Sequence, residues 1–272
     1  MSRIAYDPTK DKLAAIAKNT KVFRPILYFL LDMFFLRSWH VRRQLRKISK
    51  NKSVLNILDA GSGFGQYDRH LLKIFPKSVI KAVDVKKDYL QDCEKYYDKK
   101  IRAGRISFSE ADLTTYEEEP KYDLVLCVDV LEHIEEDVKV MRNMHDVMTN
   151  GGYFIMHSPS HLAEDDAEGD EFFVDEHARA GYSKEELSEK FEKAGLKPSY
   201  IAYTYGKYGH TAWVMLIKHP MLWLTKFGFK AMIILPFYYL ITLLPGLLLM
   251  RLDLYKKTDS PGTGIIGIGT KG

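Results

Sequence analysis

The chain of 272 residues has only two cysteines, Cys93 and Cys127, and neither lies in a C-x-x-C or other metal-like spacing. That argues against a disulfide framework and makes a reducing compartment the default. No secretory leader is read. The first apolar run begins near Val22, is interrupted by Arg24 and Asp32, and lacks a small-residue cleavage site after it. No internal repeat is evident, and low complexity is confined to the acidic stretch Glu164–Glu176. Nor does one sign of charge dominate: the net charge is +4, with 46% apolar and 28% charged residues, so a packed core is expected rather than disorder.

From about Val54 to Gly206, short apolar runs alternate with amphipathic stretches. The pattern predicts strands at Val54–Ala60, Val79–Asp84, Ile106–Ala111, Tyr122–Val128, Tyr153–Ser158 and Tyr200–Tyr205. Helices are predicted at Gln66–Phe75, from the second strand to about Asp98, at Glu135–Met148 and at Ser183–Ala194. Ser183 and Glu186 form a capping box for the last of these, and Asn150-Gly151-Gly152 is read as a turn into the fifth strand. Thr263–Thr270 alternates like a closing strand. The fold class is therefore α/β, a doubly wound, mostly parallel sheet with helices on both faces. Such sheets bind ligands beyond the carboxyl ends of their strands.

The strongest local signal is Asp59-Ala60-Gly61-Ser62-Gly63-Phe64-Gly65, a D-x-G-x-G-x-G loop after the first strand. Glycines there let the backbone turn sharply and approach a ligand closely. A dinucleotide fingerprint needs G-x-G-x-x-G. Here Gln66 holds the last glycine position, which excludes nicotinamide chemistry of that type. Asp84 ends the second strand, where a carboxylate can accept ribose hydroxyls. Asp112 follows the third strand, and Asp129 follows the fourth and leads into Val130-Leu131-Glu132-His133-Ile134.

Together these elements resemble the class I S-adenosylmethionine-dependent methyltransferases, in the branch of the ubiquinone, menaquinone and sterol enzymes. The resemblance implies a seven-stranded sheet with an antiparallel last strand. It also implies S-adenosylmethionine as cofactor, with S-adenosylhomocysteine as product. By that resemblance Asp59, Gly61, Ser62, Gly63, Gly65 and Tyr67 surround the methionyl part. Asp84 and Val85 hold the ribose, Asp112 and Leu113 the adenine, and Asp129 and Val130 line the methionine side.

Methyl transfer from a sulfonium needs mostly alignment, with a base only where the acceptor must lose a proton. His133, His157 and His177 are the candidate bases. The segment from His177 to Ser183 resembles the family's H-x-R-x-(aromatic)-(Ser/Thr) approach with one extra residue, whereas His133 also reads as a structural hydrogen-bonder. The acidic stretch reads as a solvated lid, and no metal ligand set is assigned.

Four regions follow: an apolar and basic helical arm (1–52), the cofactor-binding core (53–206), a hydrophobic helical insert (207–260) and the closing strand (261–272). The insert contains Ala231–Met250, 20 residues without a charge. If the chain leaves and re-enters one sheet, it cannot cross a membrane once. A hairpin or in-plane pair is expected, with Pro236 and Pro245 breaking a straight helix. In the arm, Val22–Leu36 is apolar and precedes seven basic residues from Arg37 to Lys52, a two-signal anchor for anionic lipid. The expectation is an enzyme at the cytoplasmic side of a membrane, acting on a lipophilic small molecule. Two alternatives are a catalytically silent membrane scaffold and an RNA methyltransferase. The RNA reading explains the basic arm but not the apolar insert.

Overall fold

A computed structural model describes residues 23–52, 54–163, 178–255 and 260–272. Strands β1 (Asn56–Ala60), β2 (Val79–Asp84), β3 (Ile106–Glu110), β4 (Tyr122–Val128) and β5 (Met148–Pro159) run parallel. β6 (Lys197–Thr204) and β7 (Gly264–Thr270) complete one seven-stranded sheet in the order β3-β2-β1-β4-β5-β7-β6. β7 is antiparallel to both of its neighbours. This is the doubly wound sheet with an antiparallel last strand that the alternation and the resemblance imply.

Successive strand residues point to opposite faces, and here both faces are covered. Leu58, Val125 and Phe154 lie in one buried cluster with Met141 and Phe191. These two belong to the helices Asp137–Asp146 and Lys184–Lys193. Ile57, Leu124, Leu126 and Ile155 lie in the other, with Leu71, Phe75 and Tyr97. Leu71 and Tyr97 belong to helices Gln66–Ile74 and Lys87–Arg102. Val41, Leu45 and Ile48 join this second cluster, so the basic part of the arm roofs the sheet as well as facing solvent.

In chain order the helices are α1 (Phe23–Phe34), α2 (Leu36–Asn51), α3 (Gln66–Ile74), α4 (Lys87–Arg102), α5 (Asp137–Asp146) and α6 (Lys184–Lys193). The Ser183 hydroxyl accepts the Glu186 N–H at 3.0 Å, half of the expected capping box. β7 is glycine-rich because α6 sits close: a Cβ on Gly267 would lie 2.8 Å from the Phe191 ring.

Two local expectations change. Asn150–Gly152 is not a turn before β5. The strand already begins at Met148, and Gly151 (φ 72°) lies at an irregularity where β5 shifts register against β4. Lys271 ties the irregular segment down, its backbone exchanging hydrogen bonds with Gly151 and Gly152 at 2.9 and 3.1 Å. The insert forms α7 (Lys207–Trp213), a widened turn (Val214–Lys218), α8 (His219–Phe227) and α9 (Ala231–Tyr255). Contrary to expectation, α9 runs unbroken through Pro236 and Pro245. A proline frees a carbonyl and kinks a helix, but contacts across the hairpin clamp α9 on both sides of Pro245. The hydroxyls of Tyr238 and Tyr239 donate to the carbonyls of Met215 and Leu216 at 2.8 Å, and Gly246 lies directly against Leu216.

Candidate cofactor site

The D-x-G-x-G-x-G loop closes onto the end of β2. The Gly61 and Ser62 N–H groups both donate to the Val83 carbonyl, at 2.8 and 2.9 Å. The Gly63 N–H donates to Asp84 Oδ2 at 2.8 Å, and the Lys86 N–H to Asp84 Oδ1 at 2.9 Å. Asp84 is thus aimed at the loop by two backbone donors. Val85, next to it, is exposed.

Two glycines show why these positions of the loop carry no side chain. A Cβ on Gly61 (φ 83°) would lie 2.3 Å from Val130 Cγ2. At Gly63 (φ 54°) a Cβ would meet nothing within 4 Å, so that glycine borders open space. Ser62 Oγ is buried with no hydrogen-bond partner among the described residues, and the Tyr67 hydroxyl is buried near Ser38. An unpartnered buried hydroxyl is costly unless a polar ligand completes it. An S-adenosylmethionine with its ribose at Asp84 and its amino-acid end over Gly63 fits these observations.

Asp59 faces Asp68, in the first turn of α3. Burial, and then the nearby Asp68 charge, raise the Asp59 carboxyl well above the usual carboxylate range. Burial pushes Asp68 up to about 7. Near neutral pH the pair holds at least one shared proton.

The other predicted residues divide between the site and its surroundings. Asp112 follows β3, but its Oδ1 accepts the N–H and hydroxyl of Thr114, both at 2.8 Å, which shapes its own turn. Leu113 is buried in the core, and its carbonyl accepts from Asn143 Nδ2 at 2.9 Å. Asp129, at φ 53°, makes an ion pair with Arg37 and a 3.1 Å contact with His157 Nδ1. An ionised carboxylate only accepts, so Nδ1 carries a proton. In the neutral ring, Nε2 then accepts the Thr204 hydroxyl at 3.1 Å. Both nitrogens of His157 are therefore engaged. His133 is mostly buried, with Nε2 4.0 Å from Glu132 Oε1. His177 and Glu164–Glu176 lie outside the described residues. Among the described residues no group of three or more potential metal ligands is present.

The arm's contribution is not apparent from sequence spacing. Tyr28 donates its hydroxyl to the Phe64 carbonyl inside the glycine loop. The Asp32 carboxylate accepts from Gln66 Nε2 at 2.9 Å and contacts His70 Nε2 at 2.7 Å. Arg37 reaches Asp129, and its N–H donates to the Tyr205 hydroxyl at 3.1 Å. The helix break at Phe35, in extended conformation, makes this possible. Asp32 as the lone acid of an apolar run was the available signal, since a buried acid demands partners. Asp68 could have been suspected as an acid in the first turn of the helix after the loop, although the helix dipole accounts for an acid there on its own.

Comparison with known proteins places the chain in a family. A profile described as "Methyltransferase domain" matches residues 51–195. The chain is similar to malonyl-[acyl-carrier protein] O-methyltransferase 1 of Ilyobacter polytropus, 26% identical over 102 residues. That match covers 38% of this chain and 37% of the relative, so the chain spans well under half of that relative's length. In structure it is similar to an S-adenosylmethionine-dependent methyltransferase from Mesorhizobium loti, with a TM-score of 0.54 and 16% identity, covering 87% of this chain and all of that one. It is similar too to phosphoethanolamine N-methyltransferase 2 of Haemonchus contortus in complex with S-adenosyl-L-methionine. There the TM-score is 0.54 and the identity 18%, covering 84% of this chain and 52% of that one. With more than half its length matched by the family profile and the D-x-G-x-G-x-G loop closed onto Asp84, the chain belongs to the methyltransferase domain family, in its class I S-adenosylmethionine-dependent form.

Proposed function

We propose that this chain transfers the methyl group of S-adenosylmethionine to a small lipophilic acceptor at a membrane surface. The observation that carries the reading joins the two halves of that statement. Arg37 touches Asp129 at the end of β4, while the residue before it, Leu36, lies in the apolar cluster of the hairpin with Ala212, Leu216 and Met250. The cofactor site and the base of the apolar insert are thus one continuous structure.

The insert presents a large apolar surface. Ile233, Leu240 and Ile241 of α9 are 71%, 83% and 74% exposed. α9 is long and apolar enough to cross a membrane. On α1, Phe23, Ile26 and Phe29 are exposed as well. A soluble monomer rarely leaves so much contiguous apolar surface in water. Arg46, Lys47 and Lys50 are exposed on α2 beside it, a charge complement for anionic lipid on the cytoplasmic side. Because β6 and β7 pair in one sheet, the hairpin enters and leaves on the same side, which suits monotopic insertion.

S-adenosylmethionine supplies a methyl carbon on a positively charged sulfur that leaves as a neutral thioether. The chain's own task is alignment. Asp84, fixed by the Gly63 and Lys86 N–H groups, holds the ribose, and the glycine loop admits the amino-acid end. Asp129, gripped by Arg37 and His157, shapes the methionine side. His177 and His133 are the residues to test for proton removal from the acceptor. Quinone precursors, isoprenoids, sterols, polyketides and fatty acyl compounds suit the apolar approach.

The test is to incubate the purified chain with methyl-labelled S-adenosylmethionine and a host lipid extract, with Asp84→Ala as control. Label entering the organic phase only with the unaltered chain is expected. Label on RNA or protein would overturn the lipophilic acceptor. Absence of transfer with S-adenosylhomocysteine binding intact would favour a silent membrane scaffold.

A further inference from the structure

A cavity of about 220 Å³ lies between α2, the edge strand β6 and the end of α9, lined by His40, Arg43, Lys47, Tyr200, Tyr203 and Asp253 among others. It shares no residue with the cofactor loop or Asp84. Its volume is below the roughly 300 Å³ at which sites for drug-sized ligands begin, which suits a headgroup. We infer that it binds the phosphate of an anionic lipid headgroup, an inference that rests on the membrane reading above.

Two cations enter the lining without a carboxylate partner among the described residues. Arg43 donates through Nη1 to the Leu254 carbonyl, and its guanidinium lies 5.0 Å over the Tyr255 ring. Its remaining N–H groups are free to bind phosphate oxygens, for which the guanidinium fork is shaped. Lys47, one helical turn along, has its ammonium 5.3 Å over the Tyr200 ring. The acid in the lining, Asp253, is already satisfied. It accepts the Gly209 N–H at 3.0 Å and faces His40 Nε2 at 3.3 Å. An anion entering the cavity therefore meets two cations against one carboxylate, and that carboxylate already accepts from Gly209 and contacts His40. Burial lowers the pKa of His40, so that ring adds no fixed charge.

The apolar surroundings argue for a lipid rather than free phosphate. The exposed Leu248, Leu252 and Tyr255 of α9 run toward the same end of the helix as the cavity-lining Leu254. Acyl chains laid along that face place their phosphate at Arg43 and Lys47.

Flotation of the full chain with phosphatidylcholine vesicles, with and without phosphatidylglycerol, tests the site. Arg43→Gln/Lys47→Gln is compared with Arg46→Gln/Lys50→Gln, which removes exposed charge outside the cavity. The cavity pair should lose about tenfold more affinity for the anionic vesicles than the control pair, as charge-assisted hydrogen bonds to phosphate require. Both should bind neutral vesicles like the unaltered chain. Lys47→Gln alone, whose side chain makes only the ring contact among the described residues, should show a smaller loss in the same direction with little change in melting temperature. Equal losses in the two pairs mean diffuse attraction and overturn the site. If the unaltered chain floats with neither vesicle, the membrane reading fails. A titration with inorganic phosphate then separates the two: a Lys47-dependent shift of the His40 ring resonances reassigns the cavity to a soluble phosphate, and no shift removes the site altogether.

Discussion

Arg37 and Asp129 form an ion pair across 92 residues of sequence, joining the arm to the end of β4. Asp129 and Tyr205, both contacted by Arg37, are non-glycine residues with φ of 53°. Conformations of that kind persist when surrounding structure over-determines them. Burial opposes the Arg37 charge, but Asp129 outweighs it and raises the guanidinium pKa. One arginine therefore holds two constrained strand ends.

Arg37→Gln should destabilise the protein by about 2 kcal/mol, less than for a fully buried pair because Arg37 is partly exposed. In a double-mutant cycle by chemical denaturation, Asp129→Asn should recover part of that loss. Strict additivity would show that the two residues do not interact energetically.

Gly63→Ala and Gly61→Ala should behave differently. At Gly63 the new methyl meets open space, so the fold should survive with about 1 kcal/mol of backbone strain. S-adenosylhomocysteine binding should nevertheless fall sharply in calorimetry. At Gly61 the methyl collides with Val130, so melting temperature and binding should drop together, and Val130→Ala should restore them only in part. Normal ligand affinity in Gly63→Ala would move the cofactor away from this loop.

Asp84→Asn retains the size of the side chain but weakens what it can accept from ribose hydroxyls. Affinity for S-adenosylhomocysteine should fall by about tenfold or more, on the scale of charge-assisted hydrogen bonds. One of the two backbone donors, Gly63 or Lys86, also loses its acceptor, so the melting temperature of the ligand-free protein should fall by a few degrees as well. The pairing of calorimetry with thermal denaturation separates a binding defect from unfolding.

The Asp59–Asp68 pair sets a pH dependence. Both carboxyls titrate above their unfolded range, Asp68 near 7. The folded state therefore keeps a proton that the unfolded chain has lost above about pH 4. The contribution of Asp68 is complete below the unfolded pKa and is lost as pH rises through about 7, and that of Asp59 is lost in the same direction. Denaturant midpoints measured between pH 5 and pH 8 should show this decline, and Asp68→Asn should flatten it. An unchanged slope in the variant would assign the dependence to other groups.

Ile233→Glu/Leu240→Glu should abolish flotation with neutral vesicles while leaving the melting temperature in solution nearly unchanged. Both side chains are exposed in the fold, whereas a charge in the apolar phase of a membrane costs about 2.5–3.5 kcal/mol on insertion scales. Retained flotation would transfer the membrane contact to α1 or to charge alone.

Sequence by itself determined the sheet, its strand positions to within a few residues, the glycine loop, and Asp84 and Asp129 at strand ends. These rest on short-range rules: alternation with a period of two, glycines where φ is positive, and acids at strand termini. Even the closing strand was legible, although the reason for its glycines lies in the close approach of α6. Other features were decided only by tertiary structure. The continuity of α9 through two prolines depends on contacts from the facing limb of the hairpin. The partnership of Asp59 with Asp68 depends on how α3 leaves the loop. The roles of Tyr28, Asp32 and Arg37 depend on where a helix break at Phe35 delivers them, far along the chain from the groups they bind. Periodicity records which face of an element is apolar, but it carries no information on which distant carboxylate an arginine will meet. That is settled when burial leaves each charge to find a partner in space.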